Sequence, residues 1–231
     1  MKNSLVKKLL VSTSLMSAMA ITAMANAAVA PFNATYNFNI EGKYNGTASR
    51  VLTQTGNQYF YNVNASVGKL ASAKQTANFV NANGAILPVS ALTQYKILGT
   101  GRTTTLNFNN AKKQLVTNYK GQNKVIALPQ PAYDDLSLEI QIREDLKAGK
   151  FRGNYYMVDR NTVEAVTFKK SAVTRITVPA GTFDVVRIDR VHDDKDRQTS
   201  FWLAPKLDYL PVKVVQNNDG KKMEMNLVKV N

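Results

Sequence analysis

His192-Asp193-Asp194-Lys195-Asp196 is the run in this 231-residue sequence that most resembles a metal site. Carboxylates at alternating positions can ligate Ca²⁺, but the run lacks the spaced oxygen series of a calcium loop. It also falls between two expected strands, where Asp-rich turns are ordinary, so a solvated turn is expected and no metal ligand is assigned. His192 is the only histidine, which weakens any nucleophile–His–acid arrangement. No G-x-S-x-G elbow, H-E-x-x-H helix or cysteine pair is present. Gly99-Thr100-Gly101 is not followed by a helix and reads as a hairpin turn rather than a phosphate loop. Two carboxylates could serve a glycosidase, but the acids are scattered and no pair stands out. Hence no catalytic residue and no cofactor are expected.

The aromatic residues carry more information. Phe32, Tyr36, Phe38, Tyr59, Tyr61, Tyr95, Phe108, Tyr155 and Phe168 recur on expected strands. On the inner face of a curved sheet they would make either a filled core or an apolar pocket, and a barrel of about eight strands is near the size where both are feasible. Tyr36, Phe38, Tyr59, Tyr61, Tyr95, Arg102 and Trp202 are the candidate ligand-binding residues. Trp202 has two readings, a packed plug or part of a cavity wall. Lys96, Arg102, Lys112, Lys113 and Lys213 lie beside turns and are candidates for a rim that meets an anionic headgroup.

The elements that must position these residues are mostly strands. Tyr36, Phe38 and Ile40 alternate with Asn37, Asn39 and Glu41, the period-two pattern of a half-buried strand. Similar stretches recur at 48–53, 59–65, 73–80, 86–98, 102–108, 113–119 and 124–128, punctuated by Gly and Asn turns, which is the pattern of an antiparallel meander. Pro129-Gln130-Pro131 stops this series, and 134–147 reads as a helix with Asp134 or Asp135 as its cap. Leu136, Leu138, Ile140, Ile142 and Leu146 give it a broad apolar face, Glu139 and Arg143 are spaced to pair, and Gly149 ends it. Such a helix must lie against the open side or mouth of the sheet. Strands resume at 153–159, 162–169, 171–178, 183–191, 197–203, 209–216 and 222–230. The expected fold is all-β, an open or incomplete antiparallel barrel with one amphipathic helix packed on it.

The first 27 residues have the zones of a secretory signal: Lys2, Lys7 and Lys8, an uncharged run from Leu9 to Ala25, then Ala25-Asn26-Ala27. Cleavage after Ala27 by the Sec route would leave 28–231 as one β-rich domain. The absence of cysteine excludes disulfides and the lipid-anchoring thiol of a lipoprotein. Periplasm in a Gram-negative envelope is the expected compartment. Without the three leader lysines the net charge falls from +14 to +11. In an exported protein that charge points away from nucleic acid, towards a membrane surface or anionic envelope polymer, or simply to solubility.

Ile176-Thr177-Val178-Pro179-Ala180-Gly181-Thr182-Phe183-Asp184-Val185-Val186-Arg187-Ile188 forms one sequence block. Phe201-Trp202-Leu203-Ala204-Pro205-Lys206-Leu207-Asp208-Tyr209-Leu210-Pro211-Val212-Lys213-Val214 forms a second, and Asp135-Leu136-Ser137 with Arg143 a weaker third. Together they resemble the exported bacterial family known as domain of unknown function 3108. The resemblance implies a periplasmic, open-barrel domain, similar in outline to lipoprotein-carrier folds, and implies no activity. The expectation is a monomeric, non-catalytic protein that binds an amphipathic or lipidic envelope molecule. The alternatives are an envelope assembly factor that contacts a protein, glycan or membrane surface, and a hydrolase with an unrecognised site.

Overall fold

The computed structural model describes residues 28–231, so the expected leader and its cleavage point lie outside the described residues. The first half holds β1 (Phe32–Ile40), β2 (Tyr44–Thr55), β3 (Gln58–Val67), β4 (Ala71–Ala82), β5 (Ala85–Ile97), β6 (Thr100–Asn109), β7 (Gln114–Tyr119) and β8 (Gln122–Ala127). After β9 (Ala132–Tyr133) comes helix α1 (Asp135–Lys147). The second half holds β10 (Asn154–Asp159), β11 (Thr162–Val178), β12 (Gly181–Val191), β13 (Arg197–Ala204), β14 (Leu210–Asn218) and β15 (Lys221–Val230).

All fifteen strands form one sheet in the order β8-β7-β6-β5-β4-β3-β2-β1-β15-β14-β13-β12-β11-β10-β9. Two meanders therefore run outward from a central pair made by the first and last strands, with Tyr36 opposite Leu227 and Phe38 opposite Met225. The ladder does not close, since β8 and β9 are its two ends. Side chains bridge part of the seam instead. Thr117 donates to Asn161 Oδ1 at 2.6 Å, and Lys124 Nζ donates to the Asn161 carbonyl at 3.1 Å. The antiparallel open barrel expected from the pattern is the observed fold.

Two details differ from the strand-by-strand expectation. Residues 162–169 and 171–178 are one strand, β11, whose register shifts between Lys170 and Val173. A bulge of this kind bends a strand without ending its pairing, which is why the pattern breaks there while the strand continues. After Pro131 the chain also makes a two-residue parallel pairing, with Tyr156 opposite Ala132 and Met157 opposite Tyr133, before entering the helix.

Alternation sends one face of each strand inward, and α1 fills one end of that interior. Leu136, Leu138, Ile140, Ile142 and Leu146 pack with Tyr61, Phe79, Ile86, Leu115, Tyr155 and Ile188. Asp134 caps the helix, accepting from Leu136 N at 3.0 Å, Ser137 N at 3.2 Å and Ser137 Oγ at 2.6 Å. These bonds satisfy amides that a helix start leaves without partners. The helix is not a lid with a solvated back. Ser137, Gln141, Arg143, Glu144 and Asp145 are buried as well, so it is enclosed on both faces.

Candidate functional site

The polar residues of α1 reach the barrel wall through long-range hydrogen bonds. Glu139 pairs with Arg50 of β2 and accepts from Tyr61 Oη at 3.1 Å, and Arg143 Nη1 lies 3.7 Å from it one turn on. Gln141 accepts from Ile86 N at 2.8 Å and donates to the Gly84 carbonyl at 3.0 Å. Glu144 accepts from Val29 N at 2.6 Å and Asn81 Nδ2 at 3.1 Å. Asp145 accepts from Tyr155 Oη at 2.7 Å and Arg152 Nε at 2.8 Å. Burying so many polar groups is tolerable because each side chain finds at least one partner, although Arg50 Nε and Arg143 Nη1 are left without a hydrogen bond. Burial pushes the Tyr36 phenol up to about 12, against the opposing pull of nearby Arg50. The helix is thus a fixed plug, and it forms the floor of what lies beyond it.

Beyond the floor the barrel is not filled. A cavity of about 640 Å³ runs from α1 to the end of the barrel marked by the β3–β4, β5–β6 and β12–β13 turns. That volume lies within the usual range for a small-molecule site. Leu136, Leu138, Glu139 and Ile142 line the floor. Phe38, Ile40, Val63, Ala65, Phe201, Val214, Met223 and Met225 contribute to the wall. These are the inward positions of their strands, and small residues such as Ala48, Ala65, Ala71 and Ala73 leave the space.

Besides Arg50, Asp135 and Glu139 at the floor, a second set of polar groups lies where the wall nears the turns. Arg190 and His192 continue the inward parity of Val186 and Ile188 on β12, and Arg197 and Thr199 precede the inward Phe201 and Leu203 on β13. Arg190 is opposite Thr199 in the ladder, and His192 Nε2 lies 3.1 Å from Thr199 Oγ1. Neither Arg190 nor Arg197 forms an ion pair among the described residues. Partial burial holds His192 below its ordinary value, and the two arginines add to the effect against a weaker pull from Asp194 and Asp193. Across the cavity Asp135 is accessible to its interior yet enclosed by the surrounding strands. Its carboxyl is pushed up to about 6 by burial and then by neighbouring Asp134, with Arg190 opposing. The result is a largely apolar chamber with two arginines and a histidine at one side of its mouth.

Of the recurring aromatic, rim and histidine residues singled out from sequence, Phe38, Tyr95, Lys96, Phe168 and His192 line this cavity. Tyr36, Tyr59 and Tyr61 are buried around the plug. Tyr36 donates to the Pro211 carbonyl at 2.9 Å, and the Tyr59 ring stacks on Phe79 at 5.4 Å. Arg102 is exposed on β6, 3.4 Å from Tyr119 Oη. Trp202 lies on the other side of β13 from Phe201 and Leu203, with Arg187 and Lys213 over its ring, and Lys213 pairs with Glu224 at 2.7 Å. Lys112 and Lys113 sit in the turn at the far end of β6. Arg190, Arg197 and Thr199 were not singled out, although their spacing from Ile188 and Phe201 follows strand parity. The Asp-rich run is an exposed turn, with Asp196 N donating to Asp194 Oδ1 at 2.9 Å.

A second hollow, of about 940 Å³, lies between Asn37, Asn39, Asn45, Thr47, Lys222 and Asn226. Those are outward positions of β1, β2 and β15; Phe38 and Gly46 also border the hollow, and its lysine, Lys222, pairs with Glu224 at 3.1 Å.

A family model described as "Protein of unknown function (DUF3108)" matches residues 31–226. Among solved structures, the chain is similar to a beta-barrel-like protein of domain of unknown function DUF1849 from Brucella abortus. That similarity has a TM-score of 0.58 at 11% identity and covers 89% of this chain and 98% of the other. A putative lipoprotein from Parabacteroides distasonis superposes with a TM-score of 0.35 at 9% identity, over 89% of this chain and 98% of that one. No curated protein matches the sequence. The Brucella likeness bears on the fold alone, and it is the fold described above.

Proposed function

The chain belongs to the DUF3108 family of proteins of unknown function, and from that premise we propose that it is a non-catalytic envelope protein whose open barrel holds one amphipathic, anionic molecule. The observation that carries this reading is the chamber itself. Its apolar wall ends on a fixed helix at one side and approaches two unpaired arginines and a histidine at the other. An apolar tail would displace water from the wall, at roughly 25 cal/mol for each Å² of apolar surface covered. An anionic head would meet His192 and the guanidinium forks of Arg190 and Arg197, which suit phosphate or carboxylate oxygens. A volume of about 640 Å³ falls in the range of small-molecule sites and suits an amphiphile with one acyl chain. The expected leader would deliver such a protein to the periplasm, where molecules of this kind must cross water.

Native mass spectrometry of the protein purified from an envelope fraction tests this reading. The expected spectrum shows an adduct of single-chain lipid mass that is absent from an Arg190→Ala/Arg197→Ala variant. A bare protein mass, with a chamber that takes up no added amphiphile, would contradict it.

A further inference from the structure

The acidic residues are unevenly divided along the chain. From Gly42 to Tyr133, the stretch that holds β2 to β8, there are ten lysines and arginines and no aspartate or glutamate. Arg50 is committed to Glu139, which leaves Lys43, Lys69, Lys74, Lys96, Arg102, Lys112, Lys113, Lys120 and Lys124. All nine are exposed and none forms an ion pair among the described residues. One wing of the sheet is therefore wholly basic on its surface.

That wing also carries the two most exposed large aliphatic residues among those described, Ile97 and Leu98, and Leu70 lies beside them. Leu98 is 74% exposed, Ile97 66% and Leu70 48%. The Leu98 amide donates to the Leu70 carbonyl at 2.8 Å, so the β3–β4 and β5–β6 turns are joined into one tip. Turn chemistry does not call for leucine at this point. Leu98 has φ +49° and precedes Gly99 at φ +81°, a pair of left-handed positions that favour Asn, Asp or Gly. The comparable non-glycine turn positions elsewhere are Glu41, Asn83, Lys113, Lys120, Arg160 and Asp219, all polar. Lys69 adjoins Leu70 and Lys96 adjoins Ile97, while Lys96 and Ile97 also border the cavity.

We propose that this tip docks the protein on an anionic lipid bilayer, with Leu70, Ile97 and Leu98 entering the headgroup region and Lys69, Lys96 and Arg102 beside the tip meeting acidic lipid. Apolar side chains flanked by lysine are the pattern of an interfacial anchor, in which buried area and electrostatic attraction add. The position beside the cavity mouth would let a molecule pass between bilayer and chamber. The docking surface stands on the tip and its charge, so it does not depend on the chamber being occupied.

Co-sedimentation of the purified protein with vesicles tests it, using phosphatidylcholine alone and phosphatidylcholine with about one-third phosphatidylglycerol. The expected result is binding at least tenfold stronger to the anionic vesicles, weakened by salt. Leu98→Asn suits the left-handed turn and so should fold. With Ile97→Thr it should lower binding on the order of tenfold. Lys69→Gln/Lys96→Gln should reduce the preference for anionic lipid, while Arg190→Ala/Arg197→Ala should still sediment with vesicles even if the chamber no longer retains a ligand. Equal sedimentation of the tip variant and the unaltered protein would overturn the proposal. So would a dimer in solution that Leu98→Asn dissociates, because the tip would then be an interface between copies.

Discussion

Arg143 Nε donates a 2.9 Å hydrogen bond to the backbone carbonyl of Asp208, tying the middle of α1 to the turn between β13 and β14. Asp208 holds the helix from a second direction, since its carboxylate pairs with Lys147 at 2.9 Å and accepts from Ala30 N at 3.1 Å. Asp208 and Tyr209 both have positive φ, +52° and +58°, an unfavourable conformation for two side-chain-bearing residues in succession. The turn is held in that shape by its bonds to the plug. The second sequence block, around Pro205 and Asp208, is thereby the part of the wall that fixes the helix.

The first prediction concerns the charge balance under the plug. Glu139 is the carboxylate shared by two buried arginines, and burial lowers the Arg143 guanidinium from its ordinary value despite that neighbour. Glu139→Ala leaves both cations without it and should reduce unfolding free energy by about 3–5 kcal/mol. Replacing Arg50 and Glu139 together, by Met and Leu, removes one of the two stranded cations and should recover part of that loss in urea denaturation, Arg143 still lacking its carboxylate.

The helix cap gives a second, smaller effect. Asp134→Ala removes the acceptor for two amides and the Ser137 hydroxyl. The expected loss is about 1–2 kcal/mol, while Asp134→Asn should retain more stability because its oxygen can still accept.

Two titrating groups in the chamber give opposite pH effects. His192 is held below its ordinary value in the free protein, so its contribution to stability is lost as pH falls through the unfolded value of about 6.5. An anion beside it favours the imidazolium. Affinity for an amphiphile of fixed charge, such as an alkyl sulfonate, should therefore rise between about pH 8 and about pH 5.5. His192→Gln should flatten that rise in a calorimetric titration. Asp135 is pushed up to about 6, so the stability it contributes is present below the unfolded value of about 3.9 and lost as pH rises through 6. Asp135→Asn should accordingly raise the melting temperature near pH 8 and leave it unchanged near pH 3.

Much of the fold was legible because strand parity and turn residues are local. Tyr36, Phe38 and Ile40 point inward as their alternation requires, and the helix lies within a residue of its expected start. The burial of Gln141, Glu144 and Asp145 was not legible, because their partners come from residues 29, 81, 84, 86, 152 and 155 and no local pattern pairs them. The same long-range packing explains the aromatic residues. The plug occupies the end of the barrel that holds Tyr36, Tyr59 and Tyr61, which leaves Phe38 and Tyr95 beside the empty part. Trp202 could have been assigned by parity, since Phe201 and Leu203 face inward on either side of it.

The most direct test is an equilibrium titration of delipidated protein with a single-chain fluorescent amphiphile bearing a phosphate head. Three proteins are compared: unaltered, Arg190→Ala/Arg197→Ala, and Ala65→Phe, which adds a ring to the chamber wall. A chamber that holds tail and head as described predicts saturable one-to-one binding in the unaltered protein. Both variants should weaken it at least tenfold, the arginine variant alone losing its salt dependence. Equal affinity in all three proteins, or no saturable binding, would contradict it.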